Sequence, residues 1–210
     1  MKNFTIFVSS FLLVFSSCQK SDKAEYTLNG TTLTDNRDNQ QYNVVTIGTK
    51  IWMADNYNYN VTGSKYYNDN NSKTFGRLYN WNQIITPGFT PKGWRVPTLQ
   101  DYNDLIANLG GDATNVGGKL KTSGTSVWVT PNTGANNSSG FNGLPGGCYV
   151  NNSNGVTGYN YQTYVGFWWI IQERTSDFSY SFRLNYNNTI AEINPNGWKP
   201  DFYSVRLIKE

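Results

Sequence analysis

Histidine is absent from the 210-residue chain, which removes Ser-His-Asp and Cys-His nucleophile pairs and every imidazole metal site. What remains for chemistry is a set of carboxylates, two cysteines and many polar aromatic rings. Cys148 follows Leu144-Pro145-Gly146-Gly147. With no imidazole to activate it, it reads as a small buried hydrophobe rather than a thiolate nucleophile. Asp101 and Asp104 stand one helical turn apart, as first-turn carboxylates that face a helix dipole do. Glu173, Asp177, Glu192 and Asp201 hold the raw material for a glycosidase, which needs two carboxylates about 5–9.5 Å apart. Chain spacing does not pair them. Asn68-Asp69-Asn70-Asn71 and Asp35-Asn36-Arg37-Asp38 offer hard oxygen ligands without an EF-hand spacing. No metal, no cofactor and no enzyme activity is expected.

Binding chemistry is better represented. Tyr149, Asn151, Asn152, Asn154, Tyr159, Asn160, Tyr161, Gln162 and Tyr164 crowd one segment. Tyrosine rings stack on the apolar faces of sugars or side chains, and neighbouring amides donate and accept hydrogen bonds. Tyr-, Asn-, Ser- and Gly-rich loops form antibody binding surfaces for the same reason. The alternative is a solvated loop whose tyrosines cover a sheet. Of Trp168-Trp169, adjacent on a strand and so facing opposite ways, one is core and the other lines a groove; Trp168 is assigned to the groove. The ligand-binding set is thus Tyr149, Asn151, Asn152, Tyr159, Tyr161, Tyr164 and Trp168. Trp52, Trp81 and Trp94 read as core.

These residues need a scaffold and a location. Residues 1–17 carry one lysine, an apolar run from Phe4 to Phe15 and then Ser16-Ser17, the pattern of a secretory signal. The run is shorter than the roughly 20 residues of a spanning helix. Cys18 after two serines resembles a bacterial lipobox, with Phe15 in place of the usual aliphatic residue, and makes Cys18 the expected lipidation site. Acylated Cys18 would hold the protein on a membrane, and residues 18–32 read as a polar tether. Only Cys148 would then remain as a free thiol, so no intrachain disulfide forms. A hydrophobic fraction of 38% and an aromatic fraction of 16% suffice for one packed domain over residues 33–210. A net charge of +3 is too small to indicate nucleic acid.

Within the domain, Gln41–Ile47 and Lys50–Met53 flank Gly48-Thr49 as a β-hairpin. Asn56 to Ser72 reads as loop. Leu78, Trp81, Ile84 and Ile85 recur at helical spacing, which predicts a short helix over residues 76–85. Leu99, Tyr102, Leu105, Ile106 and Leu109 form the stripe of a second helix, capped by Thr98 with Asp101 three residues on and ended by Gly110-Gly111. From Asp112 onward no helix is expected. Short strands are read at 126–129, 149–150, 167–171, 179–185, 189–193 and 203–208, between Gly- and Asn-rich turns.

Seven fragments in order carry a family resemblance: Val45-Thr46-Ile47-Gly48-Thr49-Lys50-Ile51-Trp52-Met53-Ala54-Asp55-Asn56, Gly76-Arg77-Leu78-Tyr79-Asn80-Trp81, Gly93-Trp94-Arg95-Val96-Pro97-Thr98, Gly118-Lys119-Leu120-Lys121, Gly140-Phe141-Asn142-Gly143-Leu144-Pro145-Gly146-Gly147, Gly166-Phe167-Trp168-Trp169 and Ser204-Val205-Arg206-Leu207-Ile208-Lys209. Together they resemble the Fibrobacter succinogenes major paralogous domain, common in lipoproteins of Bacteroidota. The Trp94-Arg95-Val96-Pro97-Thr98 helix entry and the Val205-Arg206-Leu207 ending also resemble the C-type-lectin-like and formylglycine-generating-enzyme superfold.

That resemblance implies an α+β fold: a C-type-lectin-like domain with two helices, small antiparallel sheets and a long irregular second half. Family members are expected to carry cysteines where this chain has Thr90 and Leu207, so a disulfide staple is missing. One mature cysteine cannot supply the pair that formylglycine-forming copper chemistry requires. Ile193-Asn194-Pro195-Asn196 lacks the acid of the triplets with which lectins grip sugar through calcium. The resulting expectation is a non-catalytic binding domain, lipid-anchored at the cell outer membrane and surface-exposed, with a glycan or surface polymer as ligand. The alternative is a structural or assembly component packed against an envelope protein.

Overall fold

The computed structural model describes Met1 and residues 24–69, 73–153 and 155–210. The rest of the expected signal segment, Cys18, Asn70, Asn71, Ser72 and Asn154 lie outside the described residues. Strand dominates what is described. The chain runs β1 (Tyr26–Asn29), β2 (Thr32–Asp35), β3 (Gln40–Ile47), β4 (Lys50–Met53), α1 (Trp81–Ile84), β5 (Trp94–Arg95), α2 (Leu99–Asn108) and α3 (Gly117–Leu120). It continues through β6 (Cys148–Ser153), β7 (Val156–Asn160), β8 (Val165–Glu173), β9 (Phe178–Asn185), β10 (Ala191–Trp198) and β11 (Ile208–Lys209). Three antiparallel sheets result, ordered β1-β2-β3-β4-β11-β5, β10-β9-β8 and β6-β7.

This β-rich architecture corrects the expected α+β, C-type-lectin-like fold. The helices have 4, 10 and 4 residues, so only α2 is long enough to cover a sheet. Residues 76–80 do not join the first helix. Leu78 pairs with Lys65 and Tyr79 with Tyr203 in isolated bridges, and Asn80 caps the helix from an extended conformation. The apolar spacing from Leu78 to Ile85 therefore spans a bridge and one turn, not a continuous helix. Two further departures follow from long-range pairing. β1 lies inside the segment read as tether, with Tyr26 packed edge-on against Trp94 at 6.0 Å. Residues 126–129 form no strand; there Trp128 is buried and donates its indole N–H to the Gly143 carbonyl at 3.0 Å.

The elements with the strongest local signals form as read. β3 and β4 pair through Ile47↔Lys50 around Gly48, whose φ of 62° lies where glycine is favoured. At α2, Thr98 accepts from the Asp101 backbone N–H, and Asp101 accepts from the Thr98 N–H at 2.7 Å. Arg95 adds an ion pair to that carboxylate. Burial opposes ionisation of Asp101, but the bonds from Arg95 and Thr98 outweigh it and hold the carboxyl well below the usual range.

Two buried cations brace the interior without a carboxylate. Arg206 is fully buried and donates to the carbonyls of Phe141 and Asn142 and to the Asn56 side-chain oxygen. Burial pushes its guanidinium down to about 10. Lys121 gives its ammonium to the Thr133, Asn185 and Asn188 carbonyls, each at 2.9 Å, and burial lowers it to about 8. At the outer edge of the three-stranded sheet, β10 carries Pro195 and a register shift between Asn194 and Gly197. Proline has no N–H to offer, and the bulge twists the edge away from a flat template.

Candidate functional site

Alternation along two paired strands builds one wall of a cleft. In β8 and β9, Trp168, Phe182 and Leu184 point to the core and are fully buried, so their neighbours Val165, Phe167, Arg183 and Asn185 share the other face. Register places Val165 opposite Asn185 and Phe167 opposite Arg183. The second wall comes from Cys148 and Val150, two residues apart on β6, and from Asp201 and Tyr203. Tyr161 closes the rim. The cavity measures about 340 Å³, at the lower end of the range for small-ligand pockets.

The floor is aromatic. Phe167 and Tyr203 stack with centroids 5.3 Å apart and an interplanar angle of 18°. Tyr161 leans on Phe167 at 6.1 Å yet remains 56% exposed. Its φ of 64° is an uncommon left-handed setting for a bulky residue, and it turns the chain between β7 and β8.

Polar groups converge on that floor. The Asp201 carboxylate accepts the Asn151 backbone N–H at 2.8 Å and lies 3.4 Å from the Tyr203 hydroxyl, which donates to it. Burial raises the Asp201 carboxyl above its ordinary value and raises the Tyr203 phenol well above its own. Arg183 is ion-paired across the strands with Glu192. Cys148 is buried, and burial followed by the nearby Asp201 charge pushes its thiol up to about 12. A thiol so disposed stays protonated near neutrality and is a poor nucleophile.

Of the remaining carboxylates that sequence grouped with Asp201, Glu173 takes the Lys199 ammonium at 2.8 Å and Asp177 is exposed, while Glu192 stands beside the cleft, paired with its Arg183. Asp201 is the one carboxylate lining the cleft among the described residues. Among them, too, no three Cys, Asp or Glu side chains cluster as metal ligands would.

A larger hollow of about 440 Å³ is lined by Tyr59, Gln83, Thr86 and Phe89. Two of its polar side chains are already committed. Gln83 completes the α1 cap and donates to the Thr62 carbonyl, and Thr86 donates to the Asn82 carbonyl. The smaller cleft keeps unspent polar capacity beside aromatic surface, so it is the candidate site.

The seven residues expected to bind ligand are not brought together. Tyr161 enters the cleft. Tyr149 and Tyr159 face each other across the β6–β7 pair at 4.9 Å, on the strand face opposite Cys148 and Val150. Phe202 packs against Tyr149, Tyr67 against Tyr159, and the Lys65 ammonium sits 4.4 Å over the Tyr149 ring. These two tyrosines fasten the hairpin to the body. Asn151 and Asn152 are exposed, and Asn151 reaches the site only through its backbone N–H. Tyr164 is 46% exposed and packs on Tyr186. Trp168 is wholly in the core, with its indole N–H donated to Asn56.

Sequence reasoning passed over Arg183, Asn185, Phe167 and Tyr203. The available signal was the period of two in Phe182-Arg183-Leu184-Asn185, which sets two polar residues on one face of a strand whose other face is apolar. Comparison with curated proteins and with solved structures gives no match. Residues 45–209 match the family model described as Fibrobacter succinogenes major domain, and the chain belongs to that family.

Proposed function

We propose that the domain is a non-catalytic binding module that takes a glycan in the Tyr161–Asp201 cleft and is held at the outer membrane by acylated Cys18. The observation that carries the reading is the Tyr161 ring, largely exposed at the rim of a cleft with an aromatic floor and a charged polar wall. Sugars present the same two surfaces, an apolar C–H face for a ring and hydroxyls for carboxylate, amide and guanidinium groups. The solitary carboxylate and the high thiol pKa support binding over turnover, because glycoside hydrolysis needs two acids.

Immobilised plant, host and bacterial polysaccharides test the ligand class. Binding that weakens several-fold to tenfold in Tyr161→Ala supports the reading, and a blank array overturns it. A blank array with one dominant crosslinked protein in intact cells would make the domain an assembly component instead. The apolar run and Ser16-Ser17-Cys18 support the anchor. Cys18→Ser should move the protein from the membrane to the soluble fraction, and protease shaving of whole cells should remove the wild-type domain if it faces outward.

A further inference from the structure

The inference rests on the glycan reading of the cleft and narrows its ligand. The site mixes two kinds of surface. Val165 and Phe167 on β8, with Val150 on β6, give it apolar surface. Arg183 and Asn185, the cross-strand neighbours of Phe167 and Val165, and Asp201 from the facing wall give it polar groups.

Much of these polar groups' hydrogen-bonding capacity is unspent. Arg183 donates through Nη2 to Glu192, its Nε is buried with no acceptor, and its Nη1 has no acceptor among the described residues. Asn185 uses its backbone carbonyl for Lys121, while its side-chain amide bonds to nothing among the described residues. Asp201 Oδ2 receives only the long 3.4 Å contact from Tyr203. The cleft therefore offers strong donors and an open carboxylate oxygen.

Ligand chemistry must satisfy both kinds of surface. A sugar bearing only hydroxyls serves the polar groups and makes no use of the narrow apolar edges of Val165 and Phe167, which are 9% and 8% exposed. A uronic acid would bring its carboxylate between Asp201 and the Glu192 that pairs with Arg183, and like charges at close range repel. An acetamido group fits all three demands in one rigid plane: a carbonyl acceptor, an N–H donor and a methyl.

We propose that the cleft recognises N-acetylhexosamine residues. The acetamido carbonyl accepts from the Arg183 guanidinium, its N–H donates to Asp201 Oδ2, and its methyl rests on Val165 and Phe167. The Tyr161 ring covers the apolar face of the sugar.

N,N′,N″-triacetylchitotriose (chitotriose below) and cellotriose share a β-1,4 backbone and differ only in bearing acetamido or hydroxyl at C2. Calorimetric titration of the full mature protein should show chitotriose bound at least about tenfold more tightly, as one added hydrogen bond with methyl burial warrants. Arg183→Lys, which keeps the charge but not the planar fork, should narrow that preference while circular dichroism shows the sheet intact. If it fails to fold, the wild-type ratio alone decides. Equal affinity for the two trisaccharides overturns the acetamido assignment and leaves the glycan reading standing. No binding to either, with another sugar captured on the array, does the same. An array blank to every sugar removes both.

Discussion

The side-chain oxygen of Asn56 accepts the indole N–H of Trp168 at 2.8 Å, joining residues 112 positions apart in the chain. The same oxygen accepts from Arg206 Nε at 3.1 Å, and the Asn56 amide donates to the Phe75 carbonyl at 2.8 Å. One amide thus satisfies a buried ring and a buried cation. Trp168 is thereby held as a strut of the interior rather than a groove lining.

Asn56→Ala should be among the more damaging single changes. It leaves an indole donor and part of a guanidinium unpaired away from water, and each buried polar group left unsatisfied costs about 1–3 kcal/mol. Urea unfolding should show a lower midpoint with an unchanged slope. A loss below about 1 kcal/mol, the net worth of an ordinary hydrogen bond, would mean that water enters and replaces the amide.

Tyr161→Ala separates binding from stability. The ring is more than half exposed, so its removal should leave the melting temperature nearly unchanged. Loss of aromatic stacking worth about 0.5–1.5 kcal/mol should weaken glycan binding several-fold to tenfold. Tyr159→Ala should do the reverse, loosening the β6–β7 hairpin through its contacts with Tyr149 and Tyr67. Melting curves and titrations on both variants would reveal the crossover, and identical effects would contradict it.

Asp201 gives a pH dependence of definite sign. Burial raises its carboxyl pKa in the folded state, so the folded protein binds the proton more tightly than the unfolded chain. The cost of the buried charge is present above the folded pKa and is relieved as pH falls through it. Asp201→Asn should therefore raise the melting temperature near neutrality, because the amide oxygen can still accept the Asn151 N–H. The gain should shrink as the solution is acidified and wild-type Asp201 takes up its proton. A gain independent of pH would place the effect elsewhere.

Thr98→Ala should cost about 1 kcal/mol by removing the N-cap of α2. Asp101, whose pKa is depressed in the fold, contributes stability that is present above the unfolded carboxylate value and lost as pH falls below it. Asp101→Asn should abolish that acid-side loss. Thermal melts from neutral pH down into the acid range check both statements.

Local signals in the sequence were strong where neighbours in the chain are also neighbours in space. Gly48-Thr49 specified the β3–β4 hairpin, and Thr98 with Asp101 specified the start of α2, because each is closed by residues a few positions apart. The spacing of Leu78 to Ile85 misled for the opposite reason. Leu78 and Tyr79 are held by partners outside the segment, one of them Tyr203. The candidate site suffered similarly. Grouping Tyr149 with Tyr161 by proximity ignored strand alternation, which turns Tyr149 away from the face that carries Cys148 and Val150. Phe167 and Arg183 meet through the register of β8 with β9, and no short window contains both. The family fragments identified the domain, but extending them to the lectin-like superfold implied an α+β fold, whereas the described residues form eleven strands and three short α-helices.

The interrupted rim strand with Pro195 bears on life at high density. Wherever copies of a protein are crowded, any straight border with spare amide groups invites neighbours to zip together. A border that lacks one amide and bends out of line denies that growth a starting point. Replacing Pro195 and straightening the bulge would turn separate molecules into candidates for fibrous assembly.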